Sequence, residues 1–296
     1  MHDISFDGSF EGLLNIVYLR YYEKIEPLSI RSFDGTSAMQ LGLDFDTIKI
    51  IDNPIQKITA ETDYDKADRV YTALRKKTAE GAENAYRAWL SPTNIYMDIY
   101  QYIMLCFKEG AHAENFKTLD YVLAVHKAVK YVGTEVNKLV GFCRFAETTS
   151  GVYYCDISPV NNVLPLLVEH FCSRFHEQAF VLHDVGRGIA AIYDTNECLF
   201  QEVGKHAKFE VDDSENQWQE LWSAFHKTLA NENRVNTKLQ RQMMPLRYRK
   251  HVTEYKHLEE IRKLKHENLI AASKQNLLLS QQNEETISPR LLPGSD

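Results

Sequence analysis

The chain has 296 residues, room for one large domain or two small ones, and its ordinary apolar content with plentiful aromatics permits a sizeable core. A net charge of −7 excludes any general attraction for nucleic acid or an anionic membrane, so such binding has to come from a local basic patch. No run approaches the roughly 18 consecutive apolar residues of a membrane helix, and Met1–Ser5 has neither a basic start nor an apolar signal run, so a cytoplasmic location without membrane contact is expected.

Taken in order, residues 2–6 read as a short strand and Asp7-Gly8 as a turn. Ser9 then caps a helix whose inner face is Phe10, Leu13, Leu14, Val17 and Tyr21. Residues 28–60 hold one or two strands, among them Ile48–Ile51 and Ile55–Ile58. Thr62 with Asp65 resembles a capping box for a helix to about Lys77, with Ala67, Val70, Tyr71 and Leu74 inward. Gly81 separates this from a second helical block, with helices around Tyr86–Leu90, Tyr96–Phe107 and about Thr118–Val140. In the last of these, Val122, Val125, Val129, Val132, Val136 and Leu139 keep a three-to-four spacing, which demands one buried face.

The stretch from Gly141 to Asp194 organises the rest. Its first two apolar runs flank a Thr-Thr-Ser-Gly turn at 148–151 and predict a hairpin. A helix follows, with Asn162 as N-cap, Pro165 in its first turn, and Leu164, Leu167, Val168, Phe171 and Phe175 on one face. Two more strands, 179–184 and 187–193, flank a tight turn at Val185-Gly186. The fold class expected is therefore α+β: a central β-β-α-β-β sheet unit packed with several helices and followed by a helical C-terminal extension. Another strand at Glu197–Val203 and a helix carrying Trp218, Leu221, Trp222 and Phe225 come next. The expected division is an N-terminal α/β segment at 1–83, a core domain at 84–254, and a tail at 255–296 that is helical and then disordered.

Three blocks carry a family resemblance: Phe6-Asp7-Gly8-Ser9-Phe10-Glu11-Gly12-Leu13-Leu14; Gly141 to Thr148 with Asn162 to Leu167, His170-Phe171 and Arg174-Phe175; and Asn233 to Tyr248. In these the chain resembles the bacterial "probable DNA metabolism protein" family, whose core is domain of unknown function 4130. It departs from the family pattern at Arg249, where Trp is common. The resemblance implies DNA repair or modification as context and a separate radical-SAM protein as partner. It matches the short variant, which lacks the uracil-DNA-glycosylase-like domain fused to some relatives.

The residues themselves offer two places for chemistry. Residues 233–251 hold Arg234, Lys238, Arg241, Arg247, Arg249, Lys250 and His251 with no carboxylate, and Arg234, Lys238 and Arg241 share one helical face suited to phosphates. The alternative is a solvated basic face, or one that docks an acidic partner. The second place is the sheet. Arg144, Glu147, His183 and Asp184 are the candidate catalytic set, and Arg144 and Arg187 join Arg234, Lys238, Arg241 and Arg247 as candidate nucleic-acid contacts. His183 and Asp184, being adjacent in a strand, point to opposite faces and make a poor dyad.

The five cysteines lie in apolar contexts without Cys-x-x-Cys spacing, and His170, Cys172, His176 and Glu177 fall on different faces of their helix. Neither a metal site nor a cofactor is expected. Three functions stay open: a DNA- or partner-binding accessory protein, a nucleic-acid-processing enzyme, and a scaffold with no nucleic-acid role.

Overall fold

The structure, a computed structural model, describes residues 2–32, 56–205, 210–229 and 236–255. It is a mixed α+β fold with two sheets, and it divides into two compact units. One is Met1–Val140 with Pro159–Leu167; the other is Gly141–Ser158 with Val168–Asp296. The division falls within the stretch that the sequence presents as one core domain.

In the first unit, β1 (His2–Phe6) is the middle strand of a three-stranded sheet, paired in parallel with β2 (Pro27–Ser32) and β3 (Gln56–Thr59). The expected strand at Ile48–Ile51 lies outside the described residues. Helix α1 (Phe10–Tyr18) makes the crossover from β1 to β2, as parallel pairing requires. The Ser9 hydroxyl caps it, accepting the Gly12 N–H at 2.9 Å. Phe10, Leu13, Leu14 and Val17 are buried as expected, but Tyr21 is exposed. The reason is a π-helical turn at Leu19–Glu23, which adds a residue to the turn and rotates Tyr21 off the inner face.

Helix α2 (Tyr64–Lys77) is capped by Asp63 rather than Thr62. The Asp63 carboxylate accepts the N–H groups of Asp65 and Lys66, while the Thr62 hydroxyl donates to Asp7 at 2.8 Å. The break before α3 (Ala79–Trp89) is at Thr78, and Gly81 lies inside that helix's first turn. A Cβ at Gly81 would stand 2.7 Å from the Cys106 Sγ, so glycine is what lets α3 approach α4 (Tyr96–Glu109) so closely.

Helix α5 (Asp120–Phe142) is 23 residues long. Val122, Val125, Val132 and Leu139 are buried, and Glu135, on the same periodic face, is buried with them. Its carboxylate accepts the backbone N–H groups of Val160 at 3.0 Å and Asn161 at 2.7 Å, and the Asn161 side-chain amide at 2.6 Å.

The second unit is built on a five-stranded sheet in the order β4 (Ala146–Glu147), β5 (Tyr153–Ile157), β6 (Phe180–Asp184), β7 (Ile189–Tyr193), β8 (Cys198–Glu202). The β-β-α-β-β order is present, with β5 and β6 parallel through the crossover helix α6 (Leu164–Arg174) and the other neighbours antiparallel. Three local expectations are corrected. β4 is only two residues long, because α5 runs on through Gly141 and Phe142. Val163, not Asn162, stands at the start of α6, its carbonyl accepting the Leu167 N–H at 3.0 Å. The β6–β7 turn spans Val185–Gly188 rather than two residues, closed by the Gly188 N–H on the Asp184 carbonyl at 2.8 Å. Gly188 has φ +73° and its Cβ position is 3.3 Å from the Gly204 backbone, so conformation and space both select glycine there.

One face of this sheet is aromatic: Phe180, fully buried, is ringed by Phe145, Phe171, Phe175 and Tyr193. Helix α7 (Asp213–Leu229) leaves Trp218, Leu221, Trp222 and Phe225 exposed. No helix among the described residues is long and apolar enough to cross a membrane.

Candidate functional site

Strand alternation puts Tyr154, Asp156 and Ser158, the residue just past β5, on the face opposite Cys155 and Ile157. The β5–β6 register sets His183 directly beside Asp156, on that same face. His183 is fully buried and hydrogen-bonded at both nitrogens: Nε2 lies 3.1 Å from the Gly204 carbonyl and Nδ1 lies 2.8 Å from the Tyr154 hydroxyl. A carbonyl only accepts, so Nε2 carries a proton, and in the neutral ring Nδ1 then accepts from the Tyr154 hydroxyl. Burial drives its pKa below the ordinary histidine value and nearby His251 lowers it further, against the opposing pull of Gly204, Asp156 and Asp184. Burial, with Asp156 and Cys155 beside it, raises the Tyr154 hydroxyl well above its ordinary value.

A pH dependence follows. With the folded pKa below that of the unfolded chain, stability from His183 is complete above about pH 6.5 and is lost as the pH falls below it, because the unfolded chain then binds the proton first. Thermal melts from pH 7.5 to 5 should show that decline, and His183→Gln should flatten it; an unchanged slope in the variant would assign the decline elsewhere.

Beside this pair runs a second polar line. His251 Nδ1 is 2.6 Å from Asp156 Oδ2, and His251 Nε2 is 2.8 Å from Ser158 Oγ. His251 is held by the turn after α9 (Leu246–Arg249), between buried Tyr248 and Val252. Asp156 and His251 were visible in the sequence as polar residues, but their pairing was not, and Ser158 carried no signal at all.

The other predicted site residues do not gather into one cluster. Arg144 is tied to its own chain: Nη2 meets Glu254 at 2.8 Å, Nη1 donates to the Gly141 and Cys143 carbonyls, and the guanidinium lies over Trp222 at 5.4 Å. Burial pushes the Glu254 carboxyl up, but the hydrogen bonds from Arg144, the Glu254 backbone and Trp222, with the Arg144 charge, together hold it below its ordinary range. Arg187 meets fully buried Asp184 at 2.7 Å, and Asp184 also accepts the Arg187 backbone N–H. That pair braces the β6–β7 turn, with Asp184 on the face of β6 opposite His183. Glu147 lies in β4, where its backbone carbonyl accepts the Asp212 N–H at 3.0 Å. Of the candidate set Arg144, Glu147, His183 and Asp184, the side chains of Arg144, His183 and Asp184 are engaged within the chain, and His183 and Asp184 lie on opposite faces of β6 as the strand alternation requires.

The basic stretch is partly exposed. Asn236 caps α8 (Thr237–Met243) by accepting the Leu239 N–H at 3.0 Å, and Lys238 and Arg241 stand exposed three residues apart on it. Arg247 is exposed and lies over Tyr248, while Arg249 is buried, donating to the Met244 carbonyl at 3.0 Å with Tyr255 beneath it. Lys250 is exposed, and Arg234 lies outside the described residues. The stretch thus presents Lys238, Arg241, Arg247 and Lys250 outward and keeps Arg249 and His251 for the fold. Among the described residues, no group of three or more His, Cys, Asp or Glu side chains is placed to hold a metal ion.

With β4 to β8 and the α8–α9 segment in view, the chain belongs to the family defined by the domain of unknown function DUF4130, whose model matches residues 93–254. The match covers the whole five-stranded sheet and both polar lines, and the family description carries no activity. No curated protein and no solved structure matches the chain.

Proposed function

We propose that this protein is a nucleic-acid-contacting accessory factor of a DNA repair or modification system, acting beside a separate radical-SAM protein. The observation that carries the contact is the outward strip of Lys238, Arg241, Arg247 and Lys250 on a chain of net charge −7. Lys238, Arg241 and Lys250 form no ion pair among the described residues, so their charge is available to phosphates. Arg144 and Arg187 have given their charge to Glu254 and Asp184 and take no part in the contact. The DNA context and the radical-SAM partner rest on the family resemblance alone.

Fluorescence anisotropy with labelled single- and double-stranded oligonucleotides at 50 and 200 mM salt tests this reading. Binding should weaken steeply with salt. The combined Lys238→Ala, Arg241→Ala and Lys250→Ala variant should lose at least about tenfold in affinity, and its log–log salt slope should be shallower by about 2 to 3. No binding by the parent protein at 50 mM salt, or a variant that binds like the parent, would leave a protein-binding scaffold as the better description.

A further inference from the structure

The line Asp156–His251–Ser158 has the order and the atoms of an activated nucleophile. A carboxylate on Nδ1 requires the imidazole proton to be there, which leaves the Nε2 lone pair directed at the Ser158 hydroxyl. The contact lengths, 2.6 and 2.8 Å, are those of a charge-assisted bond and an ordinary one. The imidazole cannot easily rotate away: His251 is buried, and the chain on either side of it is fixed by the Tyr248 and Val252 side chains and by the His251 N–H on the Tyr248 carbonyl. Asp156 lies in β5 and Ser158 one residue past its end, two positions on and so on the same face. Ser158 is only half-buried.

We infer that Ser158 is a nucleophile for acyl esters, with His251 as general base and acid and Asp156 as the positioning residue for the imidazole. The nucleic-acid reading plays no part in this. As the Ser158 Oγ–acyl carbon bond forms, the hydroxyl proton passes to His251 Nε2. The bond from acyl carbon to the alcohol oxygen then breaks, and that oxygen takes the proton from Nε2. Water completes the cycle: its proton goes to Nε2, its oxygen bonds to the acyl carbon, and Ser158 leaves and recovers the proton. Asp156 stays ionised and steadies the imidazolium in both halves.

A fluorophosphonate probe tests the assignment directly. The folded full-length protein is incubated with the probe, digested and mapped by mass spectrometry, and p-nitrophenyl acetate hydrolysis is followed in parallel. Ser158 should carry the label, and Ser158→Ala should lose both label and turnover. His251→Asn should label at least about 100-fold more slowly. Asp156→Asn should label more slowly and with an altered pH–rate profile, which a purely structural Asp156 would not change, and Asp156→Glu should restore part of the rate. The map of the unmodified protein decides even where a variant does not fold. A folded parent protein without label at Ser158, or a folded His251→Asn variant labelled at the parent's rate, overturns the inference and leaves His251 as a clasp between the chain after α9 and the sheet.

Discussion

Replacing Glu135 with alanine should destabilise the protein by about 3–5 kcal/mol, read as a shift in the urea unfolding midpoint. Glu135 is buried on α5, and its carboxylate receives two backbone N–H groups and one side-chain amide from Val160 and Asn161. Alanine removes the acceptor but leaves the donors. Each buried donor without a partner costs about 1–3 kcal/mol, so the loss far exceeds that of one exposed hydrogen bond. Glu135→Gln keeps one carbonyl oxygen and turns an NH2 group toward N–H donors, so its cost should fall between the two. A loss below about 1 kcal/mol for alanine would mean that water or a rearranged loop takes over the donors.

Phe180→Ala should be about as severe, about 3–5 kcal/mol by the same measurement. Phe180 is fully buried at the start of β6. Its ring centroid lies 5.6 Å from Phe145, 6.3 Å from Phe175 and 5.2 Å from Tyr193, the first two at steep interplanar angles. Truncation removes the ring's transfer free energy, opens a cavity between rigid neighbours and cancels several edge-to-face contacts. Phe180→Leu should recover a substantial part. If alanine costs no more than leucine, the neighbouring rings have collapsed into the space.

Most of the local structure of the sheet unit was legible in the residues. The Thr148–Gly151 turn, the apolar face of α6 and the strands at 180–184 and 189–193 follow from patterning that packing reinforces. Boundaries were missed where the competing signals were close. A strand at Gly141 and Phe142 gives way because nothing crowds the space a Cβ would fill at Gly141, and the helix simply continues. Asp63 outcompeted Thr62 because Thr62 was drawn to Asp7, 55 residues away in sequence. Glu135 is a core position that its charge hides from the apolar period of the helix. The site was less legible than the fold. Its polar sheet face is anticipated by His183, but the pairing of Ser158 with His251 joins residues 93 apart, and that of Arg144 with Glu254 joins residues 110 apart. Local periodicity carries no record of contacts at that range.

The position of β1 also bears on the order in which the N-terminal sheet assembles. Translation releases the middle strand first, and neither flank can form until residues 27–32 and then 56–59 have left the ribosome. Until then Ile4 and Phe6, both destined for full burial, have no sheet to join and are open to holdase chaperones. Zipping up this small parallel sheet therefore waits on two loop closures and should be a slow, late event in the maturation of its unit.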